Sequence, residues 1–270
     1  MKSTVKSTSM ILVVAAMLLS ALTFAVAGDS APKSRLDVNV AKTIADSATD
    51  VCVAADALDE AWLNQDALHV LEASGRTDAD VLWREARSRV NIGETYPEDD
   101  PDAEPFFIQG LEEAEKAVEL APNNADANLM IATAAGRVAL LRGPFKAAGL
   151  VKQAYAAAHR ATALSDSIPV AYYILGKTHM KLMEKPGIVR KLAGLGFASA
   201  DSIPYYFDKA LEISHGNMIQ CHVEYAEYFL SEKKDKDAAK KQLEEALALP
   251  ARDEQDPKYI ERAKKMLEKL

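Results

Sequence analysis

The sequence predicts an all-α fold, a solenoid of stacked helical hairpins, and three observations support this prediction. Helical segments marked by small residues recur, with one marker of each at positions 114, 158, 207 and 243. A helix-ending residue follows each marked segment. Gly and Pro, the residues that most disfavour helices, number only 12 and 11 among 270 residues. Recurrence at this spacing is typical of repeat architectures, in which each unit packs on its neighbours.

The second helix of each predicted hairpin carries a pair of small or apolar residues three positions apart. The pairs are Ala114/Ala117, Ala158/Ala161, Phe207/Ala210 and Leu243/Ala246. Another small or apolar residue stands four positions before each pair, at Gly110, Ala154, Ile203 and Ala239. The spacing i, i+4, i+7 places all three on one helix face. Their small size predicts close contact between neighbouring helices.

The first helix of each hairpin has a large residue, then an apolar-small pair, then a bulky residue. The predicted segments are Asp80–Ile92, Ala125–Gly136, Pro169–Leu182 and Met218–Leu230. Together the two helix types match the tetratricopeptide signature, so the sequence predicts about four such repeats. The units exceed the standard length of about 34 residues. The surplus lies between the paired helices, in Gly93–Pro105, around Arg142–Pro144, and from Lys185 to Asp201.

The ends of the array are predicted to be atypical, as capping units are. Ala41–Ala55 and Leu58–Ala73 read as two helices of a degenerate first unit. Tyr259–Leu270 is basic and amphipathic, and it reads as a capping helix over the last repeat.

The first 27 residues have the pattern of a cleaved secretory signal peptide. Lys2 and Lys6 precede an apolar run from Met10 to Phe24, and Ala25–Ala27 has the form of a cleavage site. The run is shorter than the roughly 20 residues that span a bilayer. We therefore expect an exported, periplasmic protein without a stable transmembrane anchor after cleavage. The predicted organisation is signal peptide 1–27, linker 28–35 and a single solenoid domain 36–270.

Composition and motifs argue against catalysis, metals, cofactors and nucleic acid. The net charge of −8 disfavours nucleic-acid binding, which relies on a basic footprint. The five histidines have no zinc-site spacing, and no phosphate-binding glycine loop or nucleophile motif occurs. The two cysteines, Cys52 and Cys221, are expected to be separate buried thiols. We expect a protein that is not an enzyme.

A candidate binding groove follows from the helix positions that face the concave side of such arrays. These positions are Arg84, Ser88, Leu129, Thr133, Arg137, Tyr173, Lys177 and Glu227, with Val223 beside the last. The cations Arg84, Arg137 and Lys177 suggest a groove for an acidic peptide or another carboxylate. The alternative is that these cations pair with neighbouring acids of the chain.

From about Ala73 to its end, the chain resembles the regulator of microtubule dynamics family and its bacterial repeat relatives. The matching stretches are Asp80–Arg87, Ala114–Ala117, Pro169–Gly176 and Leu243–Pro250, in that order and with the insertions between them. The resemblance implies a tetratricopeptide-like array without known catalytic residues. Eukaryotic members associate with microtubules or act at membrane contacts. The predicted export signal and the acidic composition argue against transferring those roles to this chain.

Two functions are consistent with these observations. The first is an exported scaffold that binds a protein or peptide through its concave face. The second is a periplasmic accessory protein of a transport system that binds a small molecule or organic acid. In the second, the insertions would enclose an apolar pore lined by Leu141, Phe145, Leu192, Leu195 and Phe197. The partner's identity and the formation of a homo-oligomer stay open.

Overall fold

A computed structural model describes residues 35–143 and 145–270, and α-helices are the regular elements of this part of the chain. The predicted signal peptide and most of the predicted linker, residues 28–34, lie outside the described residues. The helices are α1 (Val38–Ser47), α2 (Val51–Glu60), α3 (Asn64–Ala73), α4 (Ala79–Glu94), α5 (Glu104–Leu120), α6 (Ala125–Arg142), α7 (Ala148–Leu164), α8 (Pro169–Met183), α9 (Gly187–Leu192), α10 (Ser202–Ile213), α11 (Ile219–Tyr228), α12 (Lys236–Ala248) and α13 (Asp256–Leu267).

Side-chain caps explain where several of these helices begin. The carboxylates of Asp37, Asp50, Asp78 and Asp235 accept hydrogen bonds from backbone N–H groups of the first turn of α1, α2, α4 and α12. Asn124 does the same for α6. Such caps satisfy N–H groups that the helix itself cannot pair. The short polar residues between the apolar segments therefore set the hairpin boundaries.

The four predicted repeats are present as the hairpins α4/α5, α6/α7, α8/α10 and α11/α12. Successive helices pack on each other, and the first helices of neighbouring hairpins also touch, as α4 and α6 do. All eight marker residues of the second helices are completely buried. The tetratricopeptide-like solenoid predicted from these markers is therefore confirmed.

The N-terminal region has three helices where the sequence predicted two. The predicted helix Ala41–Ala55 ends at Ser47, Ala48 is extended, and Asp50 caps a new helix. The predicted helix Leu58–Ala73 is broken at Trp62, which has a positive φ of 61°. An amphipathic pattern continues across such breaks, so it does not reveal them.

The insertions leave the array between the paired helices, as predicted. The first contains a short 3₁₀ turn, Pro101–Ala103, and the third contains α9. No helix in residues 35–143 or 145–270 is both long enough and apolar enough to cross a membrane.

The C-terminal segment caps the last hairpin and also contacts the N-terminal region of the described chain. Helix α13 packs on α11 and α12, with Tyr259 and Ala263 buried in their shared core. The residues just before α13 extend further: Asn64 donates a hydrogen bond of 2.8 Å to Glu254, and Arg35 donates one of 3.1 Å to the carbonyl of Arg252. The described residues, 35–143 and 145–270, thus form a compact unit in which the last segment contacts the first.

Candidate binding groove

A cavity of about 360 Å³ lies along the inner wall of the array. Its walls come mainly from α4, α6 and α8, the first helices of three successive hairpins. Arg35 and Asp253 contribute from the two ends of the unit, and Gln220 contributes from α11. The apolar part of the lining includes Leu129, Leu140 and Ile174.

Five of the eight predicted groove residues line this cavity. They are Leu129, Thr133, Arg137, Tyr173 and Lys177. The other three do not. Ser88 is completely buried in the core, Arg84 binds an acid on α2, and Glu227 pairs with Arg262 of α13. These three residues therefore lie outside the lining of the cavity.

Each of the three predicted groove cations is already ion-paired within the chain. Arg84 holds both carboxylate oxygens of Asp56, at 2.9 and 2.8 Å. Arg137 pairs with Glu94, and Lys177 Nζ lies 2.6 Å from Glu224 Oε1. The alternative that these cations neutralise neighbouring acids describes the structure. Because these cations are already paired, the main argument for predicting an acidic ligand no longer holds.

The Lys177–Glu224 pair belongs to a buried polar network beneath the C-terminal helix. Burial alone would raise the pKa of Glu224, but the nearby Lys177 ammonium overrides this and lowers it. Lys177 also donates a hydrogen bond of 3.1 Å to the Tyr173 hydroxyl. Tyr259 of α13 is 5% exposed, and burial raises its pKa. Within this network the positive charge of Lys177 therefore compensates the negative charge of Glu224.

The sequence analysis did not predict several of the residues that line the cavity. On α4 the lining residues are Arg87, Val90, Asn91 and Glu94, which lie further along the helix than Arg84. On α6 and α8, continuing the helical period from Thr133 and Lys177 leads to Leu140 and Lys181, so this signal was present. Arg35 and Asp253 arrive through contacts distant in sequence, which no local pattern indicates.

The five residues proposed for an apolar pore do not line the cavity. Leu195 is completely buried, and Phe197 packs against the same small core. Leu192 is 84% exposed and Phe145 is 40% exposed. Leu141 packs on the core of the preceding hairpins. The second and third insertions thus contribute to a small core shared with α6, α7 and α8, and they also expose apolar side chains.

The cysteines and the other ionisable residues form no recognisable reactive centre in the described part of the chain. Cys52 and Cys221 are both buried and free, as predicted, and burial raises the pKa of each thiol. No group of His, Cys, Asp and Glu side chains suited to a metal ion occurs in residues 35–143 and 145–270.

Solved structures with this fold share little sequence with the chain. TTC0263, a thermophilic tetratricopeptide protein of Thermus thermophilus, has 18% identity and a TM-score of 0.53, over 78% of this chain and 95% of that one. Human IFIT1, solved as a dimer with PPP-AAAA, has 16% identity and a TM-score of 0.56, over 81% of this chain. The match spans only 45% of the IFIT1 chain. At these identities the likeness establishes the fold alone.

Sequence comparison identifies the family. No curated protein matches the chain. The model of the family described as regulator of microtubule dynamics protein 1-3 matches residues 50–270, from α2 and its Asp50 cap to the last residue. This range includes every hairpin, all three insertions and the capping helix. The chain therefore belongs to the regulator of microtubule dynamics protein 1-3 family.

Proposed function

We propose that this chain is an exported, non-catalytic scaffold that binds a segment of a partner protein in the cavity on its concave face. The observation that carries the proposal is the cavity of about 360 Å³ built by three successive first helices. Such a preformed concavity is the usual binding surface of helical repeats. The signal-like leader, residues 1–27, supports export to the periplasm.

The lining favours an apolar segment over an acidic one. Leu129, Leu140 and Ile174 supply apolar contact area, while Arg137 and Lys177 are neutralised by Glu94 and Glu224. A ligand carboxylate would have to compete with acids that already lie within hydrogen-bond distance. An apolar side chain entering the cavity would instead gain from its removal from water.

Filling the cavity tests this proposal. Thr133 is half-buried in the wall, and its hydroxyl donates only to the carbonyl of Leu129 on its own helix. Thr133→Trp should abolish binding of peptides selected from a displayed library on the wild-type protein. Thr162→Trp is the matched control, because Thr162 is also half-buried and bonded within its helix but lies outside the cavity. Unchanged peptide binding by Thr133→Trp would refute binding in this cavity.

A small organic acid is a second candidate, favoured by a specific observation. A volume of about 360 Å³ lies within the range of roughly 300–1,000 Å³ typical of small-molecule sites. Lys185 borders the cavity and has no ion-pair partner among the described residues. A thermal-shift screen of organic acids distinguishes the candidates. A ligand whose stabilisation is lost in Thr133→Trp and Lys185→Gln, in a protein that selects no peptide, would favour a transport accessory role.

A further inference from the structure

The second and third insertions meet at one edge of the array. Ala147 and Val151, at the start of α7, and Leu195, in the third insertion, are buried in one small core. Lys152 of α7 also lies against Gly194. Two segments more than 40 residues apart in sequence therefore form a single surface, called here the insertion edge.

The insertion edge exposes large apolar side chains. Ile188 and Leu192 are 71% and 84% exposed, and no residue of their helix α9 is buried. They stand four residues apart and thus share one helix face. Phe145, in the second insertion, is 40% exposed. These three are among the eight large apolar residues exposed in the described chain, and Ile188 and Leu192 are the two most exposed of them.

The same edge is basic in an otherwise acidic protein. Residues 142–153 and 185–200 contain six Lys or Arg residues and no Asp or Glu, while the whole chain has a net charge of −8. In the described part of the chain, no acid forms an ion pair with Lys146, Lys152, Lys185 or Lys191. Arg137 and Lys177 of the groove are paired with Glu94 and Glu224, and Arg142 of the insertion edge is paired with Glu104. The four lysines of the insertion edge thus remain available to an external anion.

We infer that the insertion edge docks on the surface of an anionic lipid bilayer. Aliphatic side chains enter the boundary between headgroups and acyl chains, and neighbouring cations are attracted to anionic lipids. A nucleic acid would be expected to meet stacking aromatic residues, whereas the most exposed side chains here are aliphatic. A stable protein interface buries a broad, closely packed patch of about 800 Å² on each partner. The six-residue α9 instead presents isolated, protruding side chains.

Vesicle flotation tests this inference with the protein that lacks the predicted leader, residues 28–270, so that the apolar leader does not contribute. The protein should float with vesicles of phosphatidylcholine mixed with phosphatidylglycerol and not with phosphatidylcholine alone. Binding should weaken as salt is added. Ile188→Ser with Leu192→Ser, and separately Lys185→Glu with Lys191→Glu, should each weaken binding by about tenfold or more.

Matched controls separate this edge from general surface properties. Leu120→Ser removes a 61% exposed apolar side chain elsewhere. Lys42→Glu with Lys269→Glu makes the same charge change at exposed positions outside the edge. Circular dichroism verifies that every variant is folded. Equal binding to neutral and anionic vesicles, no vesicle binding, or equal losses in the controls would overturn the inference. Binding of RNA or of an acidic protein that requires the insertion edge, without binding to vesicles, would also overturn the inference.

Discussion

Lys177 and Glu224 form a buried ion pair whose two members depend on each other. Glu224 is 1% exposed, and its carboxylate lies 2.6 Å from the Lys177 ammonium. Lys177→Met should lower the free energy of unfolding by about 3–5 kcal/mol, because it leaves a buried acid without its partner. The double variant Lys177→Met, Glu224→Leu should recover most of this loss. Urea denaturation measures both, and similar stabilities for the single and double variants would contradict this account.

The same pair shows what a sequence can and cannot indicate about a single residue. Arg137, Tyr173 and Lys177, which their positions on the helices place on the predicted inner wall, line the cavity. Those positions did not indicate whether the cations are free, because Glu94 and Glu224 are 43 and 47 residues away in sequence. Whether a charged side chain is ion-paired is therefore determined by the folded array and not by the local sequence.

At the scale of helices, Gly176 lets α8 approach α10 closely. A Cβ placed there would lie 2.7 Å from Cδ1 of Phe207, which is completely buried. Gly176→Ala should therefore destabilise the protein by about 1–3 kcal/mol, although alanine favours helix more than glycine does. Gly149→Ala is the control, since nothing lies within 4 Å of a Cβ there. Thermal unfolding should show a lower midpoint for the first variant and an equal or higher one for the second.

Helices in the repeats were predictable because one pattern encodes both their period and their packing. The markers such as Ala114 and Ala158 are small where a neighbouring helix touches, so the pattern that predicts the helix also predicts its contact face. The N-terminal helices α1, α2 and α3 carry no such marker residues. There, Asp50 as a cap and Trp62 with positive φ decide the boundaries, and both depend on local backbone geometry.

At the scale of the whole molecule, contact between the last and first segments distinguishes this array from an open solenoid. In an open solenoid each repeat touches only its neighbours, so a change at one end leaves the other end unaffected. Here Glu254 lies against Asn64 across 190 residues of sequence, and Asp253 lines the same cavity as Arg35. No sequence pattern indicated this contact, since neither segment carries a repeat marker. The cavity is therefore bounded by both ends of the unit.

The end-to-end contact predicts energetic coupling between Asn64 and Glu254. Each alanine variant removes one partner of a hydrogen bond of 2.8 Å to a carboxylate, so the double-mutant cycle should give a coupling energy of about 1 kcal/mol. Glu254→Ala should also raise hydrogen exchange in α3, which begins at Asn64. Glu268→Ala, at an exposed position near the end of the chain, should leave α3 unchanged. Additive effects of the two variants, with exchange increased only in α13, would mean that the repeats respond as an open array.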